Sequence, residues 1–183
     1  MKVLLSLIIC AFALPALAGQ GSYFKGGLGY SIGGDAEFDS GSSADFDSSF
    51  MNPISLSYGT YSSENISIEF EFALRDGDFE NSTTDYTALS LSANLVNNMN
   101  IESAIKPYFG AGISAGTYEL GTLDSEFGAA LQFMAGADFL INGSSSLGFE
   151  LRHHMTVLHP EYEGDSEVEF TFTEIMATYK VSL

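Results

Sequence analysis

The chain has 183 residues, a length that suits one domain, and its 24 acidic and 6 basic residues give a net charge of −18. This acidity excludes nucleic-acid binding through phosphate neutralisation. Phenylalanine and tyrosine supply the whole aromatic content and proline is scarce, which favours an all-β chain over a disordered one.

The chain begins with a predicted secretory signal peptide, residues 1–18. Lys2 is followed by the apolar run Val3–Leu14, and Ala16-Leu17-Ala18 is a small-x-small cleavage site. The only cysteine, Cys10, lies in this segment, so the exported chain would have no disulfide. A lipoprotein signal ending at Cys10 fits less well, because the run continues past it.

Residues 19–183 are predicted to form one domain of eight β-strands, in which apolar and polar residues alternate. No later apolar run has the length of a transmembrane helix. The Asn142-Gly143 pair is a strong signal for a hairpin turn between the sixth and seventh strands. The predicted strands are 22–32, 52–61, 65–75, 86–96, 105–115, 126–140, 146–156 and 170–183.

The third predicted strand shows the alternation most clearly. A period of two puts its apolar side chains on one face and its charged side chains on the other. In water the apolar face would be a core, whereas in a barrel closed within a lipid bilayer it would face outward. The apolar positions are Ile66, Ile68, Phe70, Phe72 and Leu74, and the charged ones are Glu69, Glu71 and Arg75.

The positions of the basic residues after the signal peptide favour the barrel in a lipid bilayer over the fold with an apolar core in water. All of them lie on predicted strands in the polar register, and the predicted loops contain none. Acids share this register, so charges of both signs could pair inside a narrow barrel. The predicted lumen charge network is Lys25, Glu69, Glu71, Arg75, Lys106, Asp138, Glu150, Arg152, Glu174 and Lys180.

Most acids fall in four long predicted loops at one end of the strands, at 33–51, 76–85, 116–125 and 157–169. We expect weak association of divalent cations with the first loop rather than a defined metal site, because carboxylate oxygens suit such ions but the spacing fits no EF-hand. The acids concerned are Asp35, Asp39, Asp45 and Asp47. Candidates for the interfacial aromatic girdles are Tyr23, Tyr30, Tyr58 and Tyr179.

The segment Lys106-Pro107-Tyr108-Phe109-Gly110-Ala111-Gly112-Ile113 is similar to the PY-x-G-A-G-x-G strand of a known family. Over 19–183 the chain resembles the small eight-stranded outer-membrane β-barrels of Gram-negative bacteria, which include the OmpA transmembrane domain, OmpX and opacity-type surface proteins. The resemblance implies an antiparallel up-and-down barrel with both termini in the periplasm. One departure is Leu183, where family members usually end in an aromatic residue.

A catalytic alternative rests on His154-Met155-Thr156. Some barrels of this size are lipid A deacylases that use a His-x-Ser pair and an acid, and Glu174 on the next strand could be that acid. The serine and the asparagine after it are replaced here by Thr156 and Val157. Histidines at the barrel rim, without a catalytic role, explain the same residues.

The leading hypothesis is therefore a non-enzymatic outer-membrane barrel without cofactor, with a structural or adhesin-like surface role and a side-chain-filled lumen too narrow for a wide pore. It would contact outer-membrane lipids and lipopolysaccharide, bind an extracellular ligand or host surface through its acidic loops, and be monomeric. A lipid A deacylase and a soluble lipocalin-like binding barrel are the alternatives.

Overall fold

The computed structural model describes residues 21–38, 43–45, 52–78, 85–99, 101, 103–121, 125–158, 161–162 and 166–183. The predicted signal peptide lies outside these residues. In the described part of the chain every regular element is a β-strand, and we find no helix with the length and apolarity needed to cross a membrane.

Ten strands form the fold, and eight of them make the wall of a barrel. The two others, β2 and β9, are short additions that pair with β1 and β10. The strands are β1 (Ser22–Phe38), β2 (Ser43–Asp45), β3 (Ile54–Tyr61), β4 (Ile66–Asp78), β5 (Asp85–Asn98), β6 (Ile105–Leu120), β7 (Glu126–Leu140), β8 (Ser145–Leu158), β9 (Glu161–Tyr162) and β10 (Ser166–Ser182).

Each wall strand pairs antiparallel with its neighbour, and β1 pairs with β10 from Tyr23–Ser182 to Phe38–Val168. This closure leaves the wall without an edge strand open to another chain. We call the end with Ser22, Ser182 and the short β3–β4, β5–β6 and β7–β8 connections the turn end, and the opposite end the loop end. The prediction of an eight-stranded antiparallel barrel is confirmed.

The two faces of the wall have the inverted polarity that the sequence predicted. On β4, Glu69 and Glu71 are 1% and 2% exposed, whereas Phe72 is 47% exposed. The same outward apolar pattern continues around the barrel, for example at Ile113 and Phe149, which are 64% and 62% exposed. Such a belt suits acyl chains, so the soluble lipocalin-like alternative is wrong.

The strands at the loop end are longer than predicted, and they carry many acids that the sequence analysis assigned to loops. β1 continues to Phe38 and β4 to Asp78, so Asp35 and Asp76 belong to the barrel wall. The prediction stopped each strand where the apolar alternation ended, but backbone pairing continues beyond the apolar belt. The other acids in strands are Glu37, Asp45, Asp78, Asp85, Glu119, Glu126, Glu161, Glu167 and Glu169.

The predicted aromatic girdle is partly wrong. Tyr23 is 2% exposed and points into the lumen, where its hydroxyl donates to Glu69 Oε2 at 3.1 Å. Tyr30 and Tyr179 are exposed on the outside as predicted, and Tyr58 is half-buried on the outer face beside Phe24. The position of Tyr23 follows from the alternation of β1, in which it shares a face with Lys25.

Glycines make room in the lumen for the largest side chains. A Cβ at Gly59 would overlap the ring of Tyr23, and one at Gly136 would come within 2.6 Å of the Tyr108 ring. An eight-stranded barrel is only just wide enough for its own side chains. Each of these rings therefore fits because its paired residue on the neighbouring strand, Gly59 or Gly136, has no side chain.

Candidate functional site

The centre of the lumen contains a five-membered charge network at the middle of the barrel wall. Lys25 Nζ of β1 lies 2.8 Å from Glu69 Oε1 of β4 and 3.1 Å from Glu150 Oε2 of β8. Tyr108 of β6 donates to the same Glu150 oxygen at 2.7 Å. One lysine therefore connects strands on opposite sides of the barrel.

Arg152 extends this network by one step toward the loop end. Its Nη1 and Nη2 lie 2.7 and 2.6 Å from the two Glu71 oxygens, and its Nε pairs with Glu150. One planar guanidinium thus contacts two carboxylates, those of Glu71 and Glu150, which is a geometry that favours arginine over lysine. Arg152 is 0% exposed, so this pairing compensates the loss of its hydration.

A second cluster lies nearer the loop end. Arg75 Nε of β4 is 2.7 Å from Glu174 Oε1 of β10, and His154 Nε2 of β8 is 3.2 Å from Glu174 Oε2. The Arg75 guanidinium also donates to Ser90 Oγ at 2.9 Å. The ring of Phe172 stacks on His154 at 4.6 Å, which closes this cluster on one side.

A third pair closes the turn end of the lumen. Lys180 of β10 pairs with Asp138 of β7, and its ammonium lies over the rings of Tyr23 and Tyr108 at 5.0 and 5.8 Å. Aromatic faces attract cations, so the two tyrosines add to the carboxylate in holding this lysine.

The structure brings together nine of the ten residues of the predicted network, all in ion pairs with one another. Lys106 is the exception. It is half-buried at the turn end, and its ammonium donates to the carbonyl oxygen of Ile101. Within the described residues it is the one basic side chain of the barrel without a carboxylate partner.

The loop end of the lumen is closed by an aromatic layer that the sequence analysis missed. Tyr118 and Phe170 stack with ring centroids 5.5 Å apart and planes at 6°, and Tyr86 lies 5.2 Å from Phe170. All three are at most 4% exposed. Phe170 and Phe172 share the register of Glu174, so the alternation of β10 already placed them inside.

The catalytic alternative is not assembled in the structure. The Thr156 hydroxyl donates to the carbonyl of Phe170 at 3.4 Å and accepts the Phe170 N–H at 2.8 Å. His154 Nε2 instead faces Glu174 and lies 3.0 Å from Arg75 Nη2, so the nitrogen that would take a proton from Thr156 is engaged elsewhere. His154, Thr156 and Glu174 are all buried.

The acids predicted to attract cations do not form a described site. Asp35 lies on β1 and pairs in register with Asp45 of β2. Asp39 and Asp47 lie outside the described residues. Among the residues that the structure describes, no group of three or more histidine, cysteine or acidic side chains could hold a metal ion.

A recess of about 340 Å³ opens at the turn end. Charged residues of both signs line it: the basic ones are Lys106 and Lys180, and the acidic ones are Glu64 and Asp138. The rest of the lining is part polar and part apolar: it includes Asn98, Ser144, Ser146 and Ser182 as well as Met99 and Leu140. The Asn142-Gly143 pair predicted one of the turns that form this recess, but nothing in the sequence indicated that separate turns pack around a cavity.

A family model described as "Outer membrane protein beta-barrel domain" matches residues 4–180. No curated protein matches this sequence significantly.

Three solved structures have the same fold over most of their length. Neisserial surface protein A is 17% identical, with a TM-score of 0.66 over 88% of this chain and 97% of that chain. OprG from Pseudomonas aeruginosa is 15% identical, with a TM-score of 0.56 over 89% and 96%. The outer membrane enzyme PagL is 15% identical, with a TM-score of 0.50 over 87% and 98%. At these identities the likeness shows the fold alone.

Proposed function

Because the chain belongs to the outer-membrane β-barrel family, we propose that it is a sealed, non-enzymatic surface barrel that meets its partners through the acidic loop end. Its location in the outer membrane of a Gram-negative bacterium agrees with its outward apolar belt. The turn end would face the periplasm, and the protein would act as a monomer in contact with lipid and lipopolysaccharide.

The filled lumen carries this proposal. Four cations and five carboxylates occupy it in ion pairs, from Lys180 at the turn end to Arg75 near the loop end, where the aromatic layer follows. Moving a solute past them would separate buried pairs, and removing one partner of such a pair costs about 3–5 kcal/mol. The interior therefore supports neither a wide pore nor an open catalytic cleft.

The surface role rests on charge. The acids that follow the apolar belt at the loop end lie on wall strands, as at Asp35, Glu37, Asp76 and Glu119. The paired lumen charges largely compensate one another, so the loop-end acids dominate the charge that the barrel offers to a partner. A basic surface is the complementary partner, and the attraction should weaken with salt.

The test uses the folded protein in liposomes and a surface coated with oligolysine. We expect salt-sensitive binding that falls when Asp35, Asp39, Asp45 and Asp47 are replaced together by Asn. The change Glu64→Gln at the turn end is the control and should leave binding unchanged. Binding that is equal in both variants would overturn the surface role.

The deacylase remains the second candidate, because His154 and Glu174 do form the contact that a base and its orienting acid require. A strain that carries His154→Ala should show the same lipid A acylation as the parent strain if the barrel is not an enzyme. Loss of a deacylated lipid A species in the variant alone would establish the enzyme.

A further inference from the structure

Lys106 differs from every other basic residue of the barrel. Lys25, Arg75, Arg152 and Lys180 each have a carboxylate partner in the lumen, whereas Lys106 has none among the described residues. Its ammonium has three donors, and one of them is directed to the carbonyl of Ile101. Among the residues that the structure describes, the other two donors of this half-buried cation have no acceptor.

The side chain of Lys106 lines a cavity of useful size. The turn-end recess has a volume of about 340 Å³, which holds roughly ten water molecules at about 30 Å³ each. Hydroxyl and amide groups surround Lys106 there, at Asn98, Ser144, Ser146 and Ser182. Hydrogen-bonding groups next to an ammonium that has no carboxylate partner in the described part of the chain form a suitable lining for a small, polar, anionic molecule.

We propose that this recess binds the carboxylate of a small polar molecule, of about dipeptide size, through Lys106. The remaining ammonium donors of Lys106 hold the carboxylate oxygens, and the hydroxyl groups bind the polar body of the ligand. A charge-assisted hydrogen bond of this kind is about twice as strong as a neutral one, so Lys106 supplies most of the selectivity for an anion.

The other charges of the recess limit the ligand to a single negative charge. Asp138 is already paired with Lys180. Glu64 is exposed at the rim and has no ion-pair partner among the described residues. Both carboxylates repel a dianion such as phosphate or sulfate more strongly than a monoanion. The carboxylate of a peptide or of another polar acid fits this balance best.

The test is an NMR titration of the folded barrel in detergent micelles, read at the backbone amides of Ser144 and Ser146. The probe is N-acetylglycylglycine, and its C-terminal amide is the matched neutral probe. We expect saturable shifts with the acid only. Equal shifts with the two probes, or tighter binding of inorganic phosphate than of the acid, would overturn the proposal.

Variants that remove a positive or a negative charge from the recess test the role of Lys106 in binding. Lys106→Met should weaken binding of the acid about tenfold or more, Lys106→Arg should retain it, and Glu64→Gln should strengthen it by a few-fold. Glu37→Gln, the same charge change on an exposed loop-end residue of β1, is the control and should have no effect. Unchanged affinity in Lys106→Met, with the folded form verified by gel mobility, contradicts the assignment.

Two sources could supply such a carboxylate: free polar acids and the peptides of the cell wall. Co-sedimentation of the micellar protein with insoluble peptidoglycan separates them. Co-sedimentation that Lys106→Met abolishes identifies the wall peptides, and its absence, with the small acid still binding, identifies a free acid.

Discussion

At the scale of single residues, Glu150 shows how the lumen accommodates charge. Its Oε2 accepts hydrogen bonds from Lys25 and Tyr108, and its Oε1 pairs with Arg152. A buried carboxylate would be costly alone, but each of its oxygens here faces a cation. The alternation of β8 placed Glu150 inside, whereas its particular partners depend on strand stagger and could not be read from the sequence.

We predict that Arg152→Met destabilises the folded barrel by about 3–5 kcal/mol, because Glu71 is left buried without its guanidinium. The double variant Arg152→Met with Glu71→Met removes both charges and should regain most of this loss. The chain has no tryptophan whose fluorescence could report unfolding. The stability of both variants is therefore measured by far-UV circular dichroism during urea unfolding. A double variant as unstable as the single one would contradict this explanation.

Glycine positions allow a second prediction. Gly59→Ala should destabilise the barrel by about 1–3 kcal/mol, because the added methyl group overlaps the ring of Tyr23. Gly26→Ala adds the same group on the outer face of β1, where no atom lies within 4 Å, and serves as its control. Equal urea midpoints for the two variants would show that the Tyr23 ring can move aside.

At the scale of the strands, the period of two was enough to assign the inner and outer faces of the wall. It was not enough to find where strands end. On their outer face, the loop-end halves of β1 and β10 carry acids and threonines instead of apolar residues, yet the two strands pair from Gly33–Thr173 to Phe38–Val168. Backbone pairing needs no apolar side chain, so the strand continues where the pattern stops.

Adjacent positions on β5 test the assignment of faces directly. Leu95 is 57% exposed and Val96 is 3% exposed. We predict that a spin label at Leu95→Cys in bilayers collides freely with dissolved oxygen, whereas one at Val96→Cys is shielded and less mobile. Electron paramagnetic resonance measures both properties, and the opposite order of collision rates would overturn the inverted barrel.

At the scale of the whole molecule, the sequence predicted the closed barrel, because eight alternating strands and an outward apolar face have few other arrangements. It did not predict the aromatic layer, whose members Tyr86, Tyr118 and Phe170 come from three strands. It also could not find the turn-end recess, since that depends on how three separate connections pack around one mouth.

The layered interior predicts how the barrel conducts ions. The folded protein in planar bilayers should show no sizeable single-channel conductance, and the double variant Tyr118→Ala with Phe170→Ala should show none either. The ion pairs of Arg152 and Arg75 still fill the lumen after the aromatic layer is removed. A large conductance in the double variant would mean that the aromatic layer alone seals the barrel.

The pairing of β1 with β10 has a consequence for biogenesis. Because β1 needs β10 as its partner, the barrel cannot close until the ribosome has also made β10. Contacts between such distant segments form slowly. The unfolded protein would therefore cross the periplasm with the side chains of its apolar belt exposed to water. It would depend on a chaperone until β1 pairs with β10.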